Sequence, residues 1–410
     1  MMAAASSSGS RTCGFAAVAP EELGLSSLTL DRLVQRFQGD VEARRLPGAV
    51  MLVARHGKLA MFEALGTLDP ASGSPMTKES IFRIYSMTKP IVSVAAMMLV
   101  EQGKLSLDEP VAAYLPEYAG QFVAGSPLAA ATVSVSAARQ SATVRDLLRH
   151  TAGLTYEFLG SSPVQRQYAQ ARIGSLHRSS IEFSRQLAAF PLMFEPGTVW
   201  EYSRATDVLG RLVEVISGKS LGAHLSDTIL QPLGMVDTGF SVPSAEFYRI
   251  AEPFARDPAG GLQMRLINVR EPSVFESGGG GLVSTALDYA RFLQCLLDNG
   301  ERGGERLLQA ATVRAMTTDQ LGPIPINCGG SRDLLPQGFG FGFGFAVCKE
   351  IGLGALPSSV GAFYWGGMAG TAFFVDPSKD MFACLMLLAP SQREHYRQRF
   401  CQGVYDALLD

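Results

Sequence analysis

Ser86-Met87-Thr88-Lys89 is the one place in the sequence where a lysine follows a serine at a distance of three. On a helix, residues three apart share a face, so this spacing sets a hydroxyl beside an amine. Pro90 suits the first turn of a helix, which puts the helix start at Ser86. The run from Ile91 to Val100 is apolar. A lysine held against such a helix loses hydration, which disfavours its charged form and brings it toward the range where it accepts a proton from a serine. The helix start adds unpaired N–H groups and the positive end of the dipole, so the Ser86 N–H is a candidate donor to a developing oxyanion. The chemistry this arrangement allows is nucleophilic attack by Ser86. The plainer alternative, an N-capping serine followed by a surface lysine, fits the tetrapeptide equally well.

A second segment, Phe194-Glu195-Pro196-Gly197-Thr198-Val199-Trp200-Glu201-Tyr202-Ser203-Arg204, places a Pro-Gly turn before a tyrosine at a helix entrance. Tyr202 is then set to reach a cleft, where a nearby lysine ammonium makes a phenol easier to ionise and able to shuttle a proton. Packing at the helix entrance is the alternative role. A third segment, Tyr364-Trp365-Gly366-Gly367-Met368-Ala369-Gly370-Thr371, leads into a strand. Its glycines allow substrate to approach the backbone, and the Met368 N–H is a candidate second oxyanion donor. A bare turn before an edge strand is the competing reading.

These segments need elements to hold them. Helical spacing over Leu30 to Arg44 is followed by two strand-like runs, Gly48–Arg55 and Lys58–Leu65, around His56-Gly57 as in a hairpin. Ser86 to Gln102 reads as a helix apolar on nearly every face that stops at Gly103, and such a helix belongs in the centre. Residues 106–274 read as helices and loops, among them Thr143–Arg149, Ile181–Phe190 and Ala205–Ile216. A helix from Thr285 to Asn299, strands at Phe341–Cys348, Ala372–Val375 and Met381–Leu388, and a last helix from His395 to Leu409 complete the pattern. The fold class expected is α+β. One antiparallel sheet is built from residues 21–105 and 275–410 and flanked by helices, and a mostly helical domain of residues 106–274 covers the active-site cleft. Residues 1–20, rich in Ala and Ser, are expected to form a flexible tail. The alternating Gly338–Phe345 stretch lacks the spacing of a phosphate-binding turn and suits a strand pressed against another element.

Composition narrows the function classes. With 410 residues, 47% of them hydrophobic, the chain can bury a large core. A net charge of −3 with scattered lysines and arginines gives no footprint for nucleic acid. No apolar run is long enough to span a bilayer, and the start lacks the apolar stretch of a secretion signal, so a cytoplasmic protein with no membrane partner is expected. Six cysteines without a C-x-x-C pair read as buried thiols in a reducing compartment, and five dispersed histidines give no zinc spacing. Neither metal nor cofactor is expected.

In this order the three segments resemble the class C β-lactamases, the serine penicillin-binding proteins and, most closely, the family VIII carboxylesterases. The likeness covers most of the chain. It extends to His150-Thr151-Ala152-Gly153-Leu154, to Ser277-Gly278-Gly279-Gly280-Gly281-Leu282, and to Trp365-Gly366-Gly367 where β-lactamases carry Lys-Thr-Gly. The resemblance implies that Ser86 is acylated, that Lys89 and Tyr202 are its general acid and base, and that the Ser86 and Met368 N–H groups form the oxyanion hole. Trp365, Gly366, Gly367, Tyr156 and Arg204 are expected along the substrate site, with walls from Phe158 and residues near Arg172. Arg204 replaces the usual Asn and Trp365 the usual Lys, and both departures count against efficient lactam hydrolysis.

Two other motifs offer rival nucleophile chemistry. Gly218-Lys219-Ser220-Leu221-Gly222 spells the G-x-S-x-G of α/β-hydrolases, but Asp207–Ile216 reads as a helix ending at Gly218, which makes Ser220 a turn or cap residue. His150 has no evident Asp partner for a triad. The favoured function is hydrolysis of small-molecule carboxylic esters with short acyl chains. A β-lactamase or D-Ala peptidase acting on amides, an acyltransferase, and a catalytically silent relative are the alternatives.

Overall fold

A computed structural model describes residues 14–125, 134–261, 263 and 265–409. The chain opens with helix α1 (Ser27–Glu42), whose start is capped by Ser26 accepting from the Thr29 N–H. Strands β1 (Gly48–Arg55) and β2 (Lys58–Asp69) then form the expected hairpin. Both turn residues, His56 and Gly57, take positive φ, the geometry that suits a tight two-residue hairpin. A short β3 (Ser74–Pro75) extends β2. The remaining strands of the main sheet come from the far end of the chain: β4 (Phe339–Phe341), β5 (Ala346–Cys348), β6 (Phe363–Gly366), β7 (Ala372–Asp376) and β8 (Met381–Leu387).

The eight strands run antiparallel in the order β4-β5-β6-β7-β8-β1-β2-β3. The join of β8 to β1, with Val50 opposite Met386 and Leu52 opposite Cys384, ties the two ends of the sequence together. Every residue of β1 and β8 is buried, so this seam is covered on both faces. Adjacent residues of β7 show by what. The Phe373 ring meets Tyr289 of a helix at Ala286–Leu297 at 5.3 Å, and the Phe374 ring meets Tyr405 of the final helix at Arg393–Tyr405 at 5.4 Å. Successive strand residues point to opposite faces, so these helices lie on opposite sides of the sheet. The final helix also packs on α1, where Phe37 and Tyr396 stand 5.5 Å apart.

Between the two halves of the sheet the chain forms α2 (Thr88–Glu101), then α3 (Val144–Leu148), α4 (Pro163–Gln170), α5 (Ser180–Ala188), α6 (Ala205–Ser217) and α7 (Leu221–Leu225). Eleven of the 14 residues of α2 are buried, including Lys89. Such burial explains why the helix is apolar nearly all round. Helices α3, α4 and α5 each start with a reciprocal capping box, Thr143 with Asp146, Ser162 with Gln165 and Ser179 with Glu182. Helix α4 has no counterpart in the sequence reading, because its eight residues, three of them Gln, carry little periodic apolar signal. Among the described residues no helix is long and apolar enough to cross a membrane.

The structure corrects three expectations. Part of the presumed tail is packed: Phe15 is buried under the Arg302 guanidinium, and the Val18 N–H donates to the Leu59 carbonyl at 3.1 Å, on the edge of β2. Residues 1–13 of that tail lie outside the described residues. The expected single strand over Phe341–Cys348 is a hairpin, β4 and β5 turning at Gly342–Phe345. Its turn is pressed onto α2, where a Cβ on Gly344 would come within 2.6 Å of the Ser93 hydroxyl. Of the five described cysteines, all free, Cys328 is exposed and the other four are buried.

Candidate active site

The turn carrying Ser86 is clamped before α2 begins. A single 3-10 turn, Tyr85–Met87, leads into α2, so Ser86 sits just outside the α-helix proper. The Ile84 N–H donates to Leu282 O at 3.0 Å, the Leu282 N–H to the Thr88 hydroxyl at 3.1 Å, and the Tyr289 hydroxyl to Met87 O at 2.9 Å. These bonds hold Tyr85 at φ +44°, a left-handed conformation that costs a non-glycine residue about 1–2 kcal/mol. Strain next to Ser86 presents its hydroxyl to the cleft.

The three residues expected to share the chemistry do meet. The Lys89 ammonium nitrogen stands 3.2 Å from Ser86 Oγ and donates to Gly279 O at 2.6 Å. Burial strips water from the amine and lowers its pKa to about 7; the Asp207 carboxylate opposes that shift and the Arg204 guanidinium adds to it. The Tyr202 hydroxyl donates to Ser86 Oγ at 2.7 Å and receives the Trp365 indole N–H at 3.4 Å. Burial pushes the Tyr202 pKa up, outweighing both hydrogen bonds. This corrects the expectation of a readily ionised phenol: with Lys89 itself brought near neutrality, the resting Tyr202 keeps its proton.

Tyr202 is fixed by its neighbours in sequence. The Trp200 N–H donates to Pro325 O at 2.8 Å, and the Glu201 N–H to His150 O at 3.0 Å. The buried Glu201 carboxylate accepts from the Thr155 hydroxyl at 2.7 Å, the Ser331 hydroxyl at 2.7 Å and the Asn327 amide at 2.8 Å, while Ser331 also receives the Tyr202 N–H. Around the Tyr202 ring stand His150, Tyr156 and Trp365 at 5.0, 5.2 and 5.3 Å, with Phe341 packed behind His150 and Trp365. Such packing leaves the phenol little room to turn.

Across the cleft, β6 ends at Gly366 and turns tightly, with the Gly367 N–H donating to Thr371 O at 2.7 Å. A Cβ on Gly367 would lie 2.3 Å from the Thr371 hydroxyl and 2.5 Å from Ile84 O. This glycine is therefore required by the protein's own chain beside Ser86, where the sequence alone suggested access for substrate. Met368 follows at the cleft mouth, half-exposed, and its N–H meets no hydrogen-bond acceptor among the described residues.

The cleft has two lobes that share Ser86, Phe158 and Met368. One is lined by Tyr85, Tyr156, Leu176 and Ile267, with Arg204 in its wall. The other runs past Trp365, Gly366 and Gly367 to Arg393 and Arg397 of the final helix. Tyr156 stacks on Phe158 at 4.7 Å, and its ring faces Lys89 at 5.3 Å and Arg204 at 4.7 Å. Arg204 is engaged by Glu157 and Asp207. Of the rivals, Ser220 stands apart from this centre and caps α7 by accepting from the Ala223 N–H at 3.2 Å, while His150 packs on the Tyr202 ring and pairs through Nδ1 with Ser203 Oγ at 3.1 Å. Sequence reasoning missed Asp207, Glu157 and Glu201. Asp207 carried one usable signal, an acidic residue on the otherwise apolar face of α6.

An eight-stranded antiparallel sheet with helices on both faces, and a serine and lysine opening a buried helix beneath a tyrosine, defines the architecture of serine β-lactamases and penicillin-binding proteins. The chain belongs to the Beta-lactamase family, whose profile matches residues 30–398. It is 35% identical to Esterase EstB of Burkholderia gladioli, over 90% of this chain and 93% of that protein. Among solved structures, EstCE1, described as a hydrolase with promiscuous acyltransferase activity, superposes with a TM-score of 0.76 at 28% identity, covering 92% of this chain and 99% of its own. Simvastatin synthase of Aspergillus terreus gives a TM-score of 0.75 at 26% identity, with 92% and 98% covered. The likeness to family VIII esterases and class C β-lactamases read from the motifs accords with these relatives.

Proposed function

We propose that this chain is a carboxylesterase that cleaves small-molecule esters with short acyl groups through an acyl-enzyme on Ser86. The observation that carries the reading is the convergence on Ser86 Oγ of a phenol at 2.7 Å and a desolvated amine at 3.2 Å. Neutral Lys89 takes the Ser86 proton as Oγ adds to the ester carbonyl, and the oxyanion is met by the N–H groups of Ser86 and Met368. Collapse expels the alkoxide, which takes the Tyr202 proton. The phenolate left beside the Lys89 ammonium then draws a proton from water as that water attacks the acyl-enzyme. In the second collapse Ser86 Oγ recovers its proton from Lys89, releasing the acid and restoring both partners.

Trp365 supports an ester preference, because an indole stands over Tyr202 where lactam-cleaving relatives hold a substrate-orienting lysine. Tyr85, Tyr156 and Phe158 crowd one lobe with rings, which supports short acyl groups. The same cycle transfers the acyl group when an alcohol replaces water. That second reading is favoured by the acyltransferase activity named for EstCE1 and by the synthase among the structural relatives. Free thiols at all five described cysteines support a reducing compartment, the cytoplasm. Neither nucleic acid, membrane nor metal has a part in this cycle.

The test is hydrolysis of p-nitrophenyl acetate, butyrate and decanoate and of a chromogenic cephalosporin by the wild type and Ser86→Ala. Butyrate cleavage that exceeds decanoate and vanishes in the variant is expected, with little or no lactam turnover. Full activity in Ser86→Ala overturns the mechanism, and lactam cleavage faster than ester cleavage overturns the substrate class.

A further inference from the structure

Behind Lys89 lies a second layer of buried charge that the cycle above leaves unused. Asp207, in the first turn of α6 and fully buried, accepts through Oδ1 from the Ser277 hydroxyl at 2.5 Å and the Gly279 N–H at 2.9 Å. Gly279 is the residue whose carbonyl takes the Lys89 ammonium at 2.6 Å. One carboxylate therefore grips, through the Gly279 N–H, the residue on whose carbonyl the amine rests. The fit is close: a Cβ on Gly279 would come within 2.8 Å of Asp207 Oδ2 and 2.9 Å of the Tyr156 hydroxyl. Arg204, one helical turn earlier, reaches Asp207 Oδ2 at 3.3 Å with one nitrogen and Glu157 with others, and lies over the Tyr156 ring.

We propose, building on the hydrolase reading above, that Asp207 and Arg204 are positioning residues for Lys89: Asp207 fixes the Gly279 carbonyl that holds the amine, and Arg204 orients Asp207 and opposes its charge. Neither touches Ser86, and neither has to meet the substrate. The charged and titratable groups facing Lys89 are Asp207 from α6, Tyr202 and Arg204 from the loop before it, and His150 and Tyr156 from the segment after α3, with Glu157 acting through Arg204. Asp207 favours the ammonium and Arg204 disfavours it, in agreement with their opposed pulls on the Lys89 pKa. The couple makes a specific demand on a buried site, since an uncompensated charge on either partner would displace the amine's working range. Arg204, expected from sequence at the substrate, lies in the wall of one lobe and is assigned a second role at the lysine.

The decisive readout is the acid limb of kcat/KM against pH, which reports the free enzyme's essential base. Asp207→Asn keeps an acceptor for Gly279 and removes the negative charge, so the limb moves to lower pH; Arg204→Gln moves it to higher pH, each by roughly one pH unit. In the double variant the limb returns close to the wild-type position, with neither charge of the pair left alone. Limbs that move in the same direction, or stay fixed while kcat falls, overturn the proposal and leave the pair a purely structural one. If the single variants at the buried pair fail to fold, Glu157→Gln on the cleft wall reads the same field: a limb displaced to lower pH sustains the proposal and an unmoved limb overturns it. Loss of the Ser86 dependence of ester cleavage would be a failure of the hydrolase reading instead, so the two are separable.

Discussion

The Trp365 indole N–H is directed at the Tyr202 hydroxyl across 3.4 Å, while that hydroxyl donates to Ser86 Oγ at 2.7 Å. While Tyr202 is neutral this long contact is weak. It strengthens when the phenolate forms, so its value falls on the transition state more than on the bound ester. Trp365→Phe keeps the ring and removes the donor. It should lower kcat about tenfold with KM little changed; an unchanged kcat in steady-state assays would show that the indole only fills space.

Lys89 must be neutral to take the Ser86 proton, and its pKa is brought down to about 7. Ester cleavage should therefore rise with pH through an acid limb centred near 7, and Lys89→Arg, permanently charged, should lose about a thousandfold or more. Stability carries the same signature. The unfolded lysine keeps its ordinary value of 10.5, so between about 7 and 10.5 the unfolded chain binds more protons and stability rises with pH. The melting temperature of the wild type relative to Lys89→Met should climb from pH 7 to pH 10, and a flat difference would place an ordinary amine at this position.

Glu201 is the anchor of the Tyr202 loop, with three donors on one buried carboxylate. Glu201→Ala leaves the Thr155, Asn327 and Ser331 groups without their acceptor and should cost about 2–4 kcal/mol in urea unfolding. Glu201→Gln, which keeps an acceptor, should cost less and retain more activity. Equal loss in both variants would mean that the charge itself is what the site needs.

Ser220 is an N-cap and nothing more in this account. Ser220→Ala should leave ester cleavage intact and lower stability by about 1 kcal/mol. Loss of activity in a folded Ser220→Ala sample would return the G-x-S-x-G reading.

What the sequence disclosed and what it hid divide along physical lines. Ser86, Lys89 and Tyr202 were legible because helix spacing and a Pro-Gly turn are local signals, and the strands of the β1–β8 seam were legible as long apolar runs. The break of Phe341–Cys348 into a hairpin was hidden, since Gly342 and Gly344 fit a flat strand as well as a turn. Helix α4 was hidden by its polar composition. Asp207 and Glu201 were illegible as site residues because their partners, Gly279 and Ser331, lie 72 and 130 positions away, and only the packed fold brings them together. The proton state of Tyr202 is illegible for a similar reason: sequence does not show how completely a ring is buried.

In the proposed cycle Ser86 carries the acyl group. The most direct measurement is peptide mapping by mass spectrometry after a rapid acid quench of the protein turning over p-nitrophenyl butyrate. A butyryl adduct is expected on the peptide containing Ser86, absent from Ser86→Ala and retained longer when Tyr202→Phe slows the attack of water. An adduct on Ser220 or another residue, or turnover by Ser86→Ala at the wild-type rate, would contradict it.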